Sequence, residues 1–168
     1  LVTTSLAHAS AGQWLFESNR HMEAWLAGVE EHTLRVNDVE WHYYARHLDQ
    51  ADCTVLLHGF TAEASHWFRF ARKLDAGRCL IIPDLPGFGQ TTYDATASYT
   101  IPLQVARLRD FLDAVKPAAK LNIVGSSMGG HISATYTLEN PQRVASLTLF
   151  DAAGVETANK PPATITLE

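Results

Sequence analysis

The chain has 168 residues, 46% of them hydrophobic and 18% charged, which is enough to bury one sizeable core in a single domain. A formal net charge of -5, with no Lys/Arg cluster, argues against nucleic acid as a partner. No run of roughly 18 apolar residues occurs, so no segment of the chain reads as a membrane span.

The sequence begins at Leu1 rather than Met. An upstream signal or anchor is therefore an open expectation, and with it membrane association or export; a cytoplasmic location stays open as well. Residues 1–12 are small and polar and read as a frayed start. Over Gln13–Glu30, Trp14, Leu15, Ser18, Met22, Trp25, Leu26 and Val29 recur at helical spacing, which predicts an amphipathic helix. Glu17, Arg20, Glu23 and Glu30 on its polar face favour a helix packed on its own domain over a membrane-surface helix.

Thr33-Leu34-Arg35-Val36, the turn Asn37-Asp38 and the run Val39–Tyr44 predict a β-hairpin. Cys53–Leu57 is a continuous apolar run, the pattern of a strand buried on both faces. A helix is predicted over Ser65–Leu74, stopped by Gly77, with Arg69, Arg72 and Lys73 on its wet side. Cys79–Ile82 is a second buried strand, closed by Pro83. Ile101, Val105, Leu108, Leu112 and Val115 mark the next helix, with Pro102 in its first turn and Pro117 after its end. Leu121–Val124 and Val144–Phe150 are further strands, flanking a helix over Met128–Leu138 that ends at Asn140-Pro141. The tail Thr157–Glu168 has no apolar periodicity.

This order predicts an α/β fold: a mostly parallel sheet with an N-terminal antiparallel hairpin and helices on both faces. Three stretches are distinguished, an amphipathic segment over 1–31, a core over 32–155 and a tail over 156–168. Cys53 and Cys79 are too few for a disulfide framework and lack metal-ligand spacing, so they read as two small buried hydrophobes; a bridge is open if their strands are neighbours.

Active sites of open parallel sheets lie beyond the C-terminal ends of the strands. Three strands here end in unusual chemistry. Leu57-His58-Gly59-Phe60 follows the first, Asp84-Leu85-Pro86-Gly87-Phe88-Gly89 the second, and Gly125-Ser126-Ser127-Met128-Gly129-Gly130 the third. The last is a G-x-S-x-G pattern on a strand-to-helix turn, which sets the central serine on a strained, exposed corner beside free backbone N–H groups. Ser127 is the candidate nucleophile. By the family resemblance that these motifs carry, the N–H groups of Phe60 and Met128 are the candidate oxyanion donors, and Phe60, Trp67, Phe88 and Met128 are candidate substrate contacts. His58 is better placed to brace its loop than to act as base. His131, one turn along the serine's own helix, is also a poor base. Asp84 is read as an acceptor of backbone hydrogen bonds in its own loop.

With these three motifs in this order, the chain resembles the N-terminal part of an α/β-hydrolase over residues 32 to about 155, and most closely the monoglyceride-lipase-like bacterial lipases and esterases. The resemblance implies a carboxylic-ester hydrolase acting through an acyl-enzyme on Ser127, on a small-molecule or lipid ester, with no metal and no organic cofactor. Some members carry the triad acid on the strand that ends here at Phe150, most on the next, which makes Asp151 a candidate acid. The family's histidine comes later still, whereas all eight histidines of this chain lie at or before His131. The expectation is therefore an incomplete fold lacking its base, inactive by itself. Two alternatives stay open: a carbon–carbon bond hydrolase of aromatic degradation, from whose Gly-rich oxyanion loop His58-Gly59-Phe60 departs, and a catalytically silent binding protein.

Overall fold

The computed structural model describes residues 11–116 and 120–154. The expectations for residues 1–10, for Pro117 and for the tail Thr157–Glu168 lie outside the described residues. Helix α1 (Ala11–Leu26) leads into the hairpin β1 (Glu30–Val36) and β2 (Val39–Arg46). There follow β3 (Cys53–Leu57), a 3₁₀ turn (Ala64–Trp67) running into α2 (Phe68–Ala71), and β4 (Cys79–Pro83). The chain continues with α3 (Ile101–Val115), β5 (Leu121–Ser126), α4 (Met128–Glu139) and β6 (Val144–Phe150).

Among the described residues six strands form one sheet in the order β1-β2-β4-β3-β5-β6. β2 pairs antiparallel with β1 and with β4; the remaining pairs are parallel. The predicted fold class is observed. Alternation along the strands sorts the core into two layers. Val55, Leu57, Ile81 and Ile123 meet Val105, Leu108 and Leu112 of α3 and Ile132 and Tyr136 of α4. On the opposite face Leu56, Leu80 and Ile82 meet Ala24 of α1, Trp67, and Phe68 of α2.

Three expectations are corrected. The first helix stops at Leu26, not Glu30. Gly28, at φ 65°, donates to Trp25 O (3.0 Å), and Val29 donates to Ala24 O (3.1 Å). This left-handed C-terminal motif satisfies the last carbonyls and turns the chain into β1. Helix α2 ends at Ala71 rather than Leu74, because the segment starts as a 3₁₀ turn and closes in tight turns at Lys73 and Leu74. Finally, Cys53 and Cys79 are not two separate hydrophobes. They are register partners on adjacent parallel strands, with Cα atoms 4.6 Å apart, and form a disulfide. The crossover through α2 brings together residues 26 apart in sequence, within bridging reach.

Candidate active site

β5 ends at Ser126 and α4 begins at Met128, which leaves Ser127 as the joint, with φ 51° and ψ -118°. An L-residue adopts that conformation only where its surroundings impose it. Here they do. Ser127 N–H donates to Phe150 O (3.0 Å), and its carbonyl accepts from His131 N (3.2 Å) and Ala153 N (3.0 Å). The corner also needs glycine on either side: a Cβ at Gly129 would strike the carbonyl oxygens of Leu57 and His58, and one at Gly125 would strike the Ser133 hydroxyl. The Ser127 side chain is exposed. Met128 N–H lies in the first turn of α4, where no carbonyl of the same helix can accept it.

The loop leaving β3 comes up against this corner. A Cβ on Gly59 would stand 3.2 Å from Ser127 Cβ and 3.8 Å from its Oγ. Gly59 O accepts from Ala62 N (3.3 Å), with Thr61 at φ 59°, so Phe60 sits on a tight turn. The residue is 67% exposed, and its ring meets Phe88 edge-on at 5.5 Å. His58, 1% exposed, accepts from Leu85 N at Nε2 (2.9 Å) and therefore donates from Nδ1 to Gly59 O (2.8 Å). Burial pushes its pKa below the ordinary value, against the opposing Gly59 hydrogen bond. A neutral ring with both nitrogens committed is a brace, as read from the sequence.

Trp67 is buried. It lines a cavity of about 140 Å³ with His58, Gly59, His66 and Ser126. Its ring, with Phe70 and Phe150, forms an aromatic wall with centroids 5.4–6.2 Å apart. Phe88 lines a neighbouring cavity of about 490 Å³ that also includes His66. Met128 packs its side chain on the core instead. Asp151 follows β6 directly at φ 44°, exposed and without a hydrogen-bond partner among the described residues. The His131 ring lies against Gly154; a Cβ at Gly154 would be 2.8 Å from its Nδ1. No cluster of three or more metal-ligating side chains occurs among the described residues.

Asp84 is the polar centre beneath the loops. It is 2% exposed; Oδ1 accepts from Ala64 N (2.7 Å), and Oδ2 from Gln90 N (2.9 Å) and His42 Nδ1 (2.9 Å). His42 Nε2 in turn donates to Glu31 Oε1 (2.6 Å). Burial would raise the Asp84 pKa, but the His42 and backbone hydrogen bonds outweigh it and hold the carboxyl below its usual range. For His42, burial alone would lower the value, and the two carboxylates reverse that and raise it. Sequence reading found the backbone-accepting role of Asp84 but missed the His42–Glu31 arm. The only hint was a histidine spaced two residues from Tyr44, on the same face of β2. His66 and Phe150 were missed as well, since neither stands in a motif.

A family model described as alpha/beta hydrolase fold matches residues 55–167. Lipase 3 of Moraxella sp. is 40% identical over 107 residues, spanning 64% of this chain and 34% of that protein. Monoacylglycerol lipase ABHD6 of Bos taurus is 33% identical over 126 residues, spanning 67% of this chain and 37% of that protein. The crystal structure of a membrane phospholipase A superposes with a TM-score of 0.81 at 39% identity, covering 88% of this chain and 47% of that one. The chain thus spans about a third of the length of the curated relatives it matches. No helix among the described residues is long and apolar enough to cross a membrane.

Proposed function

The chain belongs to the α/β-hydrolase fold family, and from that premise we propose that the protein carrying it is a serine hydrolase cleaving carboxylic esters of lipids through an acyl-enzyme on Ser127. The observation that carries this reading is the exposed Ser127 at φ 51° between β5 and α4, with the Gly59 loop against it. Its Oγ attacks the ester carbonyl and gives its proton to a general base, and the carbonyl oxygen becomes an oxyanion. Collapse expels the alkoxide, which takes that proton and leaves as the alcohol; water then cleaves the acyl-enzyme by the same route to release the acid. Met128 N–H and Phe60 N–H stabilise that oxyanion. Asp151, the exposed residue that directly follows β6, is the acid that orients this base in our reading.

In this reading the base is a histidine outside residues 1–168, as the family resemblance implies; His58 is committed at both nitrogens, and the His131 ring lies against Gly154. Residues 1–168 alone therefore leave p-nitrophenyl esters intact at the rate of their S127A variant. The aromatic wall of Trp67, Phe70 and Phe150 suits an acyl chain, in line with the lipases and monoacylglycerol lipases among the relatives. A fluorophosphonate applied to the full-length protein tests the reading. Covalent label on the peptide containing Ser127, abolished in S127A, supports it. A folded protein left unlabelled at Ser127 is a binding protein on the same scaffold, and the reading falls.

A further inference from the structure

We propose that His42, clamped between Glu31 and Asp84, is a positioning residue for ester hydrolysis: through Asp84 it sets the loop that aims Phe60 N–H at the oxyanion. The inference rests on the hydrolase reading above and extends it to a side chain that touches neither substrate nor nucleophile.

The loop between His58 and Ala64 is hung at both ends from two consecutive residues. At its near end His58 Nε2 takes the Leu85 N–H at 2.9 Å; at its far end Ala64 N–H reaches Asp84 Oδ1 at 2.7 Å. Phe60 lies between these anchors, so its N–H follows wherever residues 84 and 85 are held. Those residues are held by β2. Asp84 N donates to His42 O (2.9 Å), Thr91 Oγ1 donates to Asp84 O (2.8 Å), and His42 N donates to Thr91 Oγ1 (2.9 Å). The Asp84 carboxylate is fixed by His42 Nδ1 at 2.9 Å.

The second ring nitrogen explains why a histidine serves here. Nε2 lies 2.6 Å from Glu31 Oε1, so each nitrogen faces a carboxylate and both act as donors. The ring is thereby locked about χ2, and its Nδ1–H cannot swing away from Asp84. The other groups around the ring are the Tyr44 ring, edge-on at 5.1 Å, and the Gln90 amide. With its oxygen toward Nε2 (3.0 Å), that amide also takes the Arg20 guanidinium at 3.1 Å. Every neighbour keeps the imidazole in one pose. Oxyanion donors act over tenths of an ångström, and misplacing a reacting group by about 1 Å costs roughly a hundredfold in rate.

The test uses the full-length protein with a soluble monoacylglycerol as substrate. His42→Leu removes the donor to Asp84; His42→Asn puts an amide N–H where Nδ1 stood; Glu31→Ala releases the outer clamp from a partly exposed position. Each is checked by circular dichroism and assayed well below its melting temperature. Expected are a fall in kcat of about ten- to a hundredfold for H42L with KM within about twofold, recovery of most of it in H42N, and a several-fold fall in E31A. Wild-type kcat in folded H42L overturns the proposal, as does an equal loss in H42L and H42N tracking only their melting temperatures. If H42L fails to fold, E31A decides, and wild-type kcat there is the contrary result. Fluorophosphonate labelling of the wild type separates the two readings. Label at Ser127 with indifferent variants rejects the role of His42 alone, while absence of label rejects the hydrolase reading itself.

Discussion

Leu85 gives its backbone N–H to Nε2 of His58 across 2.9 Å, joining the ends of β3 and β4 through one buried ring. The bond leaves this histidine no lone pair with which to accept a serine proton, although it is the histidine nearest in sequence to the oxyanion loop. Replacing it with Gln in the full-length protein should slow fluorophosphonate labelling of Ser127 by about ten- to a hundredfold, the cost of a displaced oxyanion donor. A loss matching that of S127A would make His58 the base after all.

The Cys53–Cys79 bridge closes a loop of 26 residues between the two central strands. On the loop-entropy model it stabilises the fold by about 3.5 kcal/mol. Urea midpoints measured with and without a phosphine reductant should differ accordingly. Denatured, unreduced protein should show no thiol toward Ellman's reagent.

The Glu31–His42–Asp84 chain makes stability depend on pH from both sides. Below the ordinary imidazole value of 6.5, His42 is protonated whether folded or unfolded and its contribution is complete; it fades as pH rises through the raised folded value. The two carboxylates contribute fully above their ordinary 4.5 and 3.8, and lose that contribution as pH falls through their lowered folded values. The stability advantage of wild type over H42N should therefore be largest near pH 5–6 and shrink toward pH 9, as read from denaturant midpoints. A difference constant from pH 5 to 9 would contradict the assignment of charge to His42.

Gly129 packs α4 directly onto the end of β3. A methyl group there must displace backbone rather than a side chain. G129A should lower the unfolding free energy by about 3 kcal/mol, with G130A as comparison, since a Cβ at Gly130 meets the side chain of Ala152 first. Equal stability of G129A and wild type would mean that the corner is looser than its geometry.

Elements with a strong local signal were legible in the chain. Cys53–Leu57 and Cys79–Ile82 read as doubly buried strands, the Asn37-Asp38 turn set the hairpin register, and the glycines around Ser127 marked the corner. What stayed hidden depends on pairings between distant segments. The Gly28 stop was masked because Val29 continues the helical period of α1 while its buried side chain serves the loop after it. The disulfide needed the β3–β4 register, which no spacing reveals. His42 sits in a strand flanked by β1 and β4, buried on both faces, so it looked like one more member of an aromatic-rich run until its two carboxylate partners, 11 and 42 residues away, were in place.

The amide of Ser127 is tied to the carbonyl of Phe150, the final residue of β6. A nascent polypeptide emerging from the ribosome completes β5 and α4 before that acceptor exists. That part of the restraint on the bend at position 127 arrives only when β6 docks, after the helix that carries the hydroxyl has already been made.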